Sequence, residues 1–149
     1  MSAPTPLAPT NEPAPAADAA LLALRPLIAG LPPAPAQPTS VTDFQQLVLR
    51  PLLKLQHAVL LATVADFAHE YRLPLAAAPA TEAQQVLGEL LARNTRLRAT
   101  VVGLVVGLLT RPELAFYRQH RNELNRRLLD LAQQRVGSSL PELLQALPI

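Results

Sequence analysis

Apolar residues recur every three or four positions from Val41 to Tyr71, and this spacing constrains the fold more than any other feature of the chain. Because an α-helix has 3.6 residues per turn, such spacing places the apolar side chains on one helical face. Pro51 interrupts the pattern, since a residue without an N–H and with a bulky ring disfavours a straight helix interior. The sequence therefore predicts a helix over 41–71 with a kink near residues 47–51.

Two long helices are predicted to follow, over about residues 81–109 and 111–136. At their N-termini lie residues whose side chains can accept hydrogen bonds from the free backbone N–H groups of the first turn. At the C-terminus of the second lies a glycine, the residue that most readily adopts the left-handed backbone that ends a helix. The signals are Thr81 with Gln84, Thr110 with Glu113, and Gly137. A last short helix is predicted in the segment "LPELLQAL", residues 140–147.

The composition favours helices over strands. The chain has three Phe, two Tyr and no Trp, so its core must be built from Leu, Val and Ala, and Leu and Ala are good helix formers. No run alternates β-branched and polar residues as a half-buried strand would. We therefore predict an all-α protein, a small helical bundle formed by the two long helices and the kinked helix.

The N-terminal region has a different character from the rest of the 149-residue chain. Residues 1–17 are rich in Pro and Ala, which predicts a flexible tail. Residues 18–39 are predicted to form a short helix, capped by Asp18 and ended by Gly30, and then a Pro-rich linker. Because such linkers act as semi-rigid spacers, we expect this helix to dock at a distance or to exchange between subunits. Residues 40–149 form the predicted helical domain.

The most apolar stretch of the chain is "TVVGLVVGLL", residues 100–109. Arg98 and Arg111 enclose only twelve residues, about 18 Å of helix, which is too short for a bilayer core of roughly 30 Å. No membrane span is predicted. Three small residues, Thr100, Gly103 and Gly107, share one face of this helix, and the missing Cβ atoms would allow another helix to approach closely. The neighbouring helix could belong to the same chain or to a second subunit.

Two arginines fall on the apolar stripe of the 111–136 helix. Arg121 and Arg135 lie on this stripe, and His120 and Asn125 lie at its margins. A charge in such a position is expected to be paired, because isolated burial is unfavourable. The alternatives are an internal ion pair, or an interface that binds a partner or an anion, for which the planar guanidinium is well suited.

Nucleic acid is the alternative partner, through the Arg-rich region 93–135. Residues 93–149 contain nine Arg and four acidic side chains, a net charge of +5. Arg118, Arg126 and Arg127 are the candidate phosphate contacts. However, acidic residues are interspersed among the arginines, whereas phosphate binding favours a continuous basic stripe.

Sequence motifs for catalysis are not apparent. The chain shows no Gly-rich phosphate loop, no Gly-x-Ser-x-Gly and no His-Glu-x-x-His, and its three His residues do not have the spacing of a dimetal bundle. No catalytic residue, metal site or cofactor is predicted. The absence of Cys and of a recognisable secretory signal leads us to expect a cytoplasmic location. We predict a non-enzymatic protein that binds protein, either as a self-assembling structural subunit, with itself as partner, or as an adaptor.

Overall fold

The computed structural model describes residues 16–148, and it confirms the all-α prediction, with no strand in this range. We number the helices in chain order. They are α1 (Ala16–Ala23), α2 (Val41–Leu55), α3 (His57–Glu70), α4 (Ala80–Arg93), α5 (Thr95–Val106), α6 (Arg111–Gln119), α7 (Arg121–Ser138) and α8 (Leu140–Gln145). The predicted flexible tail, residues 1–17, lies almost entirely outside the described residues.

Helix α7 is at the centre of the bundle and packs against α2 to α6 and against α8. Leucine dominates the core, as expected for a chain with few aromatic residues. Burying one leucine side chain contributes about 1.5–3 kcal/mol to the free energy of folding. The largest fully buried apolar side chains are Phe44, Leu49, Leu52, Leu53, Leu60, Leu87, Leu91, Leu97, Leu124, Leu128 and Leu143.

The predicted helix over 81–109 is two helices, separated at Asn94. The backbone of Asn94 is extended, and its side-chain Oδ1 accepts a hydrogen bond from the N–H of Leu97 at 2.9 Å, so it caps α5. The break changes the helical phase, and α5 buries Leu97, Val101 and Val105. At the start of α4 the helix begins at Ala80, after Pro79, so Thr81 is not its cap.

The predicted helix over 111–136 is also interrupted, at His120, which separates α6 from α7. The predicted terminus at Thr110 is confirmed, because the N–H of Thr110 donates to the carboxylate of Glu113 at 2.9 Å. Gly137 does not end the helix as predicted. It has no positive φ angle, and α7 continues through it to Ser138.

The segment 41–71 is irregular near the predicted kink and has a further, sharp bend that was not predicted. Ser40 caps α2, and its Oγ accepts from the N–H of Asp43 at 3.1 Å. Next to Pro51 the helix widens into a π turn over Gln45–Leu49, so the regular α-helical hydrogen bonding is interrupted close to the predicted position. The sharp bend of 69° lies between α2 and α3, at Gln56.

The N-terminal helix is shorter than predicted and ends at Ala23. Pro26 explains its end, because a proline disfavours helical backbone at the preceding residue, here Arg25. Asp18 is not a cap but lies inside α1. Gly30, with φ of +80°, forms a turn farther along the chain instead of ending the helix.

The helices of residues 16–148 are short compared with a membrane span. No single helix there is long and apolar enough to cross a bilayer, and only the bent pair of α2 and α3, taken together, reaches the required length and composition.

Candidate interaction site

The segment 16–39, which we call the strap, folds back onto the helical body. Its main anchor is Arg25, whose guanidinium donates two hydrogen bonds to the carboxylate of Glu113, one of them at 2.7 Å. Glu113 is 1% exposed, and one of its oxygens also accepts from the backbone N–H of Thr110. A buried carboxylate is stable in this position because it is paired, hydrogen-bonded and close to the positive end of α6.

The carboxylate of Asp18, which belongs to the strap, binds the same helix terminus. Asp18 is 5% exposed, and its Oδ1 accepts from the backbone N–H of Arg111 at 3.1 Å. The first N–H groups of a helix have no partner within the helix, so they attract acidic side chains. We call Asp18, Arg25 and Glu113 the polar latch. Outside the latch, Lys54 donates to the carbonyl of Leu27 at 3.0 Å.

The apolar part of the strap is only partly covered. A groove of about 210 Å³ runs between the strap and α2, with Leu47 and Pro51 on the α2 side. Leu22, Leu24 and Leu27, which we call the leucine patch, are 46%, 57% and 78% exposed. Leu22 and Leu27 also line the groove, and exposed apolar groups of this kind are typical of surfaces that bind other molecules.

The predicted glycine face, Thr100, Gly103 and Gly107, lies on the exposed side of the bundle. A Cβ atom added to Gly103 would have no neighbour within 4 Å among the described atoms, so the helix proposed to approach it is not another helix of residues 16–148. Gly107 lies just beyond the end of α5 as its C-cap. Thr100 donates its hydroxyl to the carbonyl of Arg96 at 2.8 Å.

Four residues were predicted to form an interface for a partner or an anion: Arg121, Arg135, His120 and Asn125. The structure separates them, because three lie at the start of α7 and Arg135 lies near its end. Arg121 is exposed and lies 5.7 Å from the ring centroid of Tyr117, whose hydroxyl donates to Asn125. His120 packs against the ring of Phe116, with 4.5 Å between centroids and an interplanar angle of 37°. Arg135 lies fourteen residues after Arg121, which is about 21 Å along the helix.

Arg135 has a different environment from Arg121. It is half-buried beside Arg50, and its guanidinium donates to Nδ1 of His57 at 3.2 Å. Burial, and to a lesser extent the neighbouring charge of Arg50, lower the pKa of Arg135 from its ordinary value. No carboxylate of residues 16–148 forms an ion pair with Arg135.

Two of the three candidate phosphate contacts are engaged within the chain. Arg126 lies 3.8 Å from Asp130 and 4.0 Å from Glu123. Arg127 donates to Glu123 at 2.9 Å and to the side chain of Gln45 at 2.8 Å. Arg118 is exposed. The three residues therefore do not present a continuous, unneutralised basic stripe.

The described residues offer no grouped set of side chains for a metal ion. Residues 16–148 contain no cluster of three or more His, Asp or Glu side chains with suitable geometry. Nε2 of His57 lies 2.9 Å from Oε2 of Glu142, but these two residues have no third His, Asp or Glu beside them among the described residues.

The polar latch was not found by sequence reasoning. The sequence marked Glu113 as a helix-terminus residue and Asp18 as a cap, but not the contact of either with a distant segment. Arg25 and Glu113 are 88 positions apart, and neither residue carries a local signal for the other. An arginine directly before a proline in an otherwise apolar segment was the one available hint.

Comparison with known proteins does not connect this chain to a characterised group. No protein-family model, curated protein or solved structure matches it.

Proposed function

We propose that this chain is a non-enzymatic helical protein that acts by protein–protein contact and that its partner is a second copy of itself. The observation that carries the proposal is the leucine patch. Three large apolar side chains within six positions of the strap face solvent, whereas in residues 40–148 every leucine except Leu114 is buried or half-buried. Covering such a patch stabilises a complex through the hydrophobic effect, by about 25 cal/mol per Å².

A second copy fits this surface for a symmetry reason. In a two-fold dimer the same patch occurs on both sides of the interface, so a surface that is uniformly apolar is complementary to itself. The leucine patch has this property, because leucine side chains pack against one another without a polar partner. The groove beside it, lined by Pro26, Ile28 and Leu31 of the strap, extends the apolar area.

The strap is also well placed to present the patch. It is attached to the body at one end by the polar latch and at the other by the Pro-rich segment 31–39, which restricts its motion. A surface that is ordered before binding loses less conformational entropy when the complex forms. This supports the strap as a preformed contact element.

The experiment is sedimentation velocity of the full chain over a wide concentration range. The triple variant Leu22→Ser/Leu24→Ser/Leu27→Ser should shift the protein toward monomer, and it should stay folded because these side chains are exposed. Val59→Ser is the control, since Val59 is 46% exposed on another helix. A wild-type chain that is monomeric at every concentration contradicts self-association.

The glycine face is a second candidate surface for the same association. Its exposure leaves room for a helix from another subunit, and Gly103 lies at its centre. Nucleic acid has less support as a partner, because Arg126 and Arg127 are already engaged by acidic side chains.

A further inference from the structure

A second cavity, distinct from the strap, lies where the C-terminal end of α7 meets α2. Its volume is about 270 Å³. We call it the arginine cavity, and it is lined by Arg50, Leu53, Leu131, Gln134, Arg135, Ser138 and Ser139. Two arginines therefore line one partly enclosed space.

Neither arginine is neutralised within the described part of the chain. Arg50 donates to the side-chain oxygen of Gln46 at 2.7 Å, and Arg135 donates to a nitrogen of His57. Both acceptors are neutral in these contacts. Among residues 16–148, no Asp or Glu forms an ion pair with either arginine.

Such an arrangement is unfavourable for the free protein. Two like charges repel, and partial burial removes water that would otherwise screen them. The lowered pKa of Arg135 reflects the same two causes. An anion bound in the cavity would offset the repulsion, because it would lie beside both arginines.

Arg135 is held in position by a hydrogen-bonded chain. A guanidinium can only donate, so Nδ1 of His57 must be the acceptor, and the proton of the neutral ring is on Nε2. Nε2 then donates to Glu142 at 2.9 Å. Glu142 thus orients His57, and His57 orients one nitrogen of Arg135, which leaves the other guanidinium nitrogens for a ligand.

The ligand class follows from charge and donor geometry. One guanidinium is sufficient for a carboxylate, whereas two suit a group with close to two negative charges, as a phosphomonoester has at neutral pH. Ser139 adds a hydroxyl at the rim, and Leu53 and Leu131 provide apolar wall. We propose that the arginine cavity is a binding site for a phosphate group, either inorganic phosphate or the phosphate of a small phosphomonoester.

The test is isothermal titration of the full chain with inorganic phosphate, and separately with glycerol 3-phosphate, at constant ionic strength. Wild-type protein should bind phosphate, and Arg50→Gln and Arg135→Gln should each weaken binding about tenfold or more, the usual effect of losing a charged hydrogen bond. Tighter binding of glycerol 3-phosphate would identify the ester as the preferred form, tighter binding of inorganic phosphate would identify the free ion, and equal binding would show that the phosphate group alone is recognised.

Two controls separate a site from general electrostatic attraction. Arg93→Gln removes an exposed arginine that does not line the cavity, and it should leave phosphate affinity unchanged. Without phosphate, Arg50→Gln and Arg135→Gln should melt no lower than wild type, since each relieves a repulsion. The proposal is overturned if wild-type protein shows no phosphate binding beyond the effect of chloride, or if Arg93→Gln weakens binding as much as Arg135→Gln.

Discussion

Arg25 and Glu113 form a buried bidentate ion pair that joins the N-terminal strap to the first turn of α6. This contact explains why a short, Pro-rich segment has a defined place on the bundle although its leucines are poorly covered. It also makes the presentation of the leucine patch dependent on one charged pair.

Loss of the latch should release the strap selectively. A Glu113 carboxylate that stayed buried without Arg25 would destabilise the folded protein by about 3–5 kcal/mol. Undocking of the strap avoids much of this destabilisation, because water can then reach the carboxylate. Arg25→Met should therefore accelerate amide hydrogen exchange in residues 16–39 and leave the slow exchange of α7 in place. Arg118→Met, at an exposed arginine, is the control. Unchanged protection of the strap in Arg25→Met would show that the latch does not hold it.

Gly103→Ala should stabilise the folded chain. Glycine inside a helix costs about 0.5–1 kcal/mol relative to alanine, and the added Cβ would meet no described atom within 4 Å. Urea unfolding should give an increase of up to about 1 kcal/mol in the free energy of unfolding. Gly88→Ala should gain less, since its Cβ would lie 2.9 Å from Nε2 of Gln133, which must move.

Gly103→Leu tests the glycine face as a contact surface. The larger side chain has room in the single chain, so the fold should persist by circular dichroism. If a helix of a second subunit packs closely there, sedimentation should show weaker association. Association equal to wild type would exclude close helix packing at Gly103.

Gly137→Ala distinguishes the observed end of α7 from the predicted one. If Gly137 ended the helix in left-handed backbone, its replacement by alanine would destabilise the protein. In the structure Gly137 lies within α7, and the Cβ atom of an alanine there would meet no described atom within 4 Å. Thermal unfolding should therefore show an increased midpoint. A decrease would mean that α7 ends before Gly137.

Asn94→Ala should lower stability by about 1 kcal/mol, the usual effect of losing a helix cap. Asn94→Asp should retain most of the stability, because a carboxylate oxygen can accept the same hydrogen bond from Leu97. Chemical denaturation of the two variants measures the difference. Equal stability of Asn94→Ala and wild type would show that the cap contributes nothing.

Local signals predicted some helix ends correctly, although those at Asp18, Thr81 and Gly137 did not hold, and distant contacts were not predictable. Ser40 and Thr110 act through residues three positions away, so their patterns could be recognised in the sequence. Asn94 carried a cap-type side chain, but the apolar periodicity continued on both sides and concealed the break. The pairing of Arg25 with Glu113, and the approach of Arg50 to Arg135, depend on how the helices pack, and no short pattern encodes that.

The most direct test of self-association uses the absence of Cys from the chain. A Leu27→Cys variant carries a single thiol on the leucine patch, and a short bismaleimide should join two chains when the patches face each other. Val59→Cys, with its thiol on another helix, is the control. We predict a covalent dimer for Leu27→Cys at a much higher yield than for Val59→Cys. Equal yields, or no dimer from either variant at concentrations where the wild type associates, would contradict contact through the leucine patch.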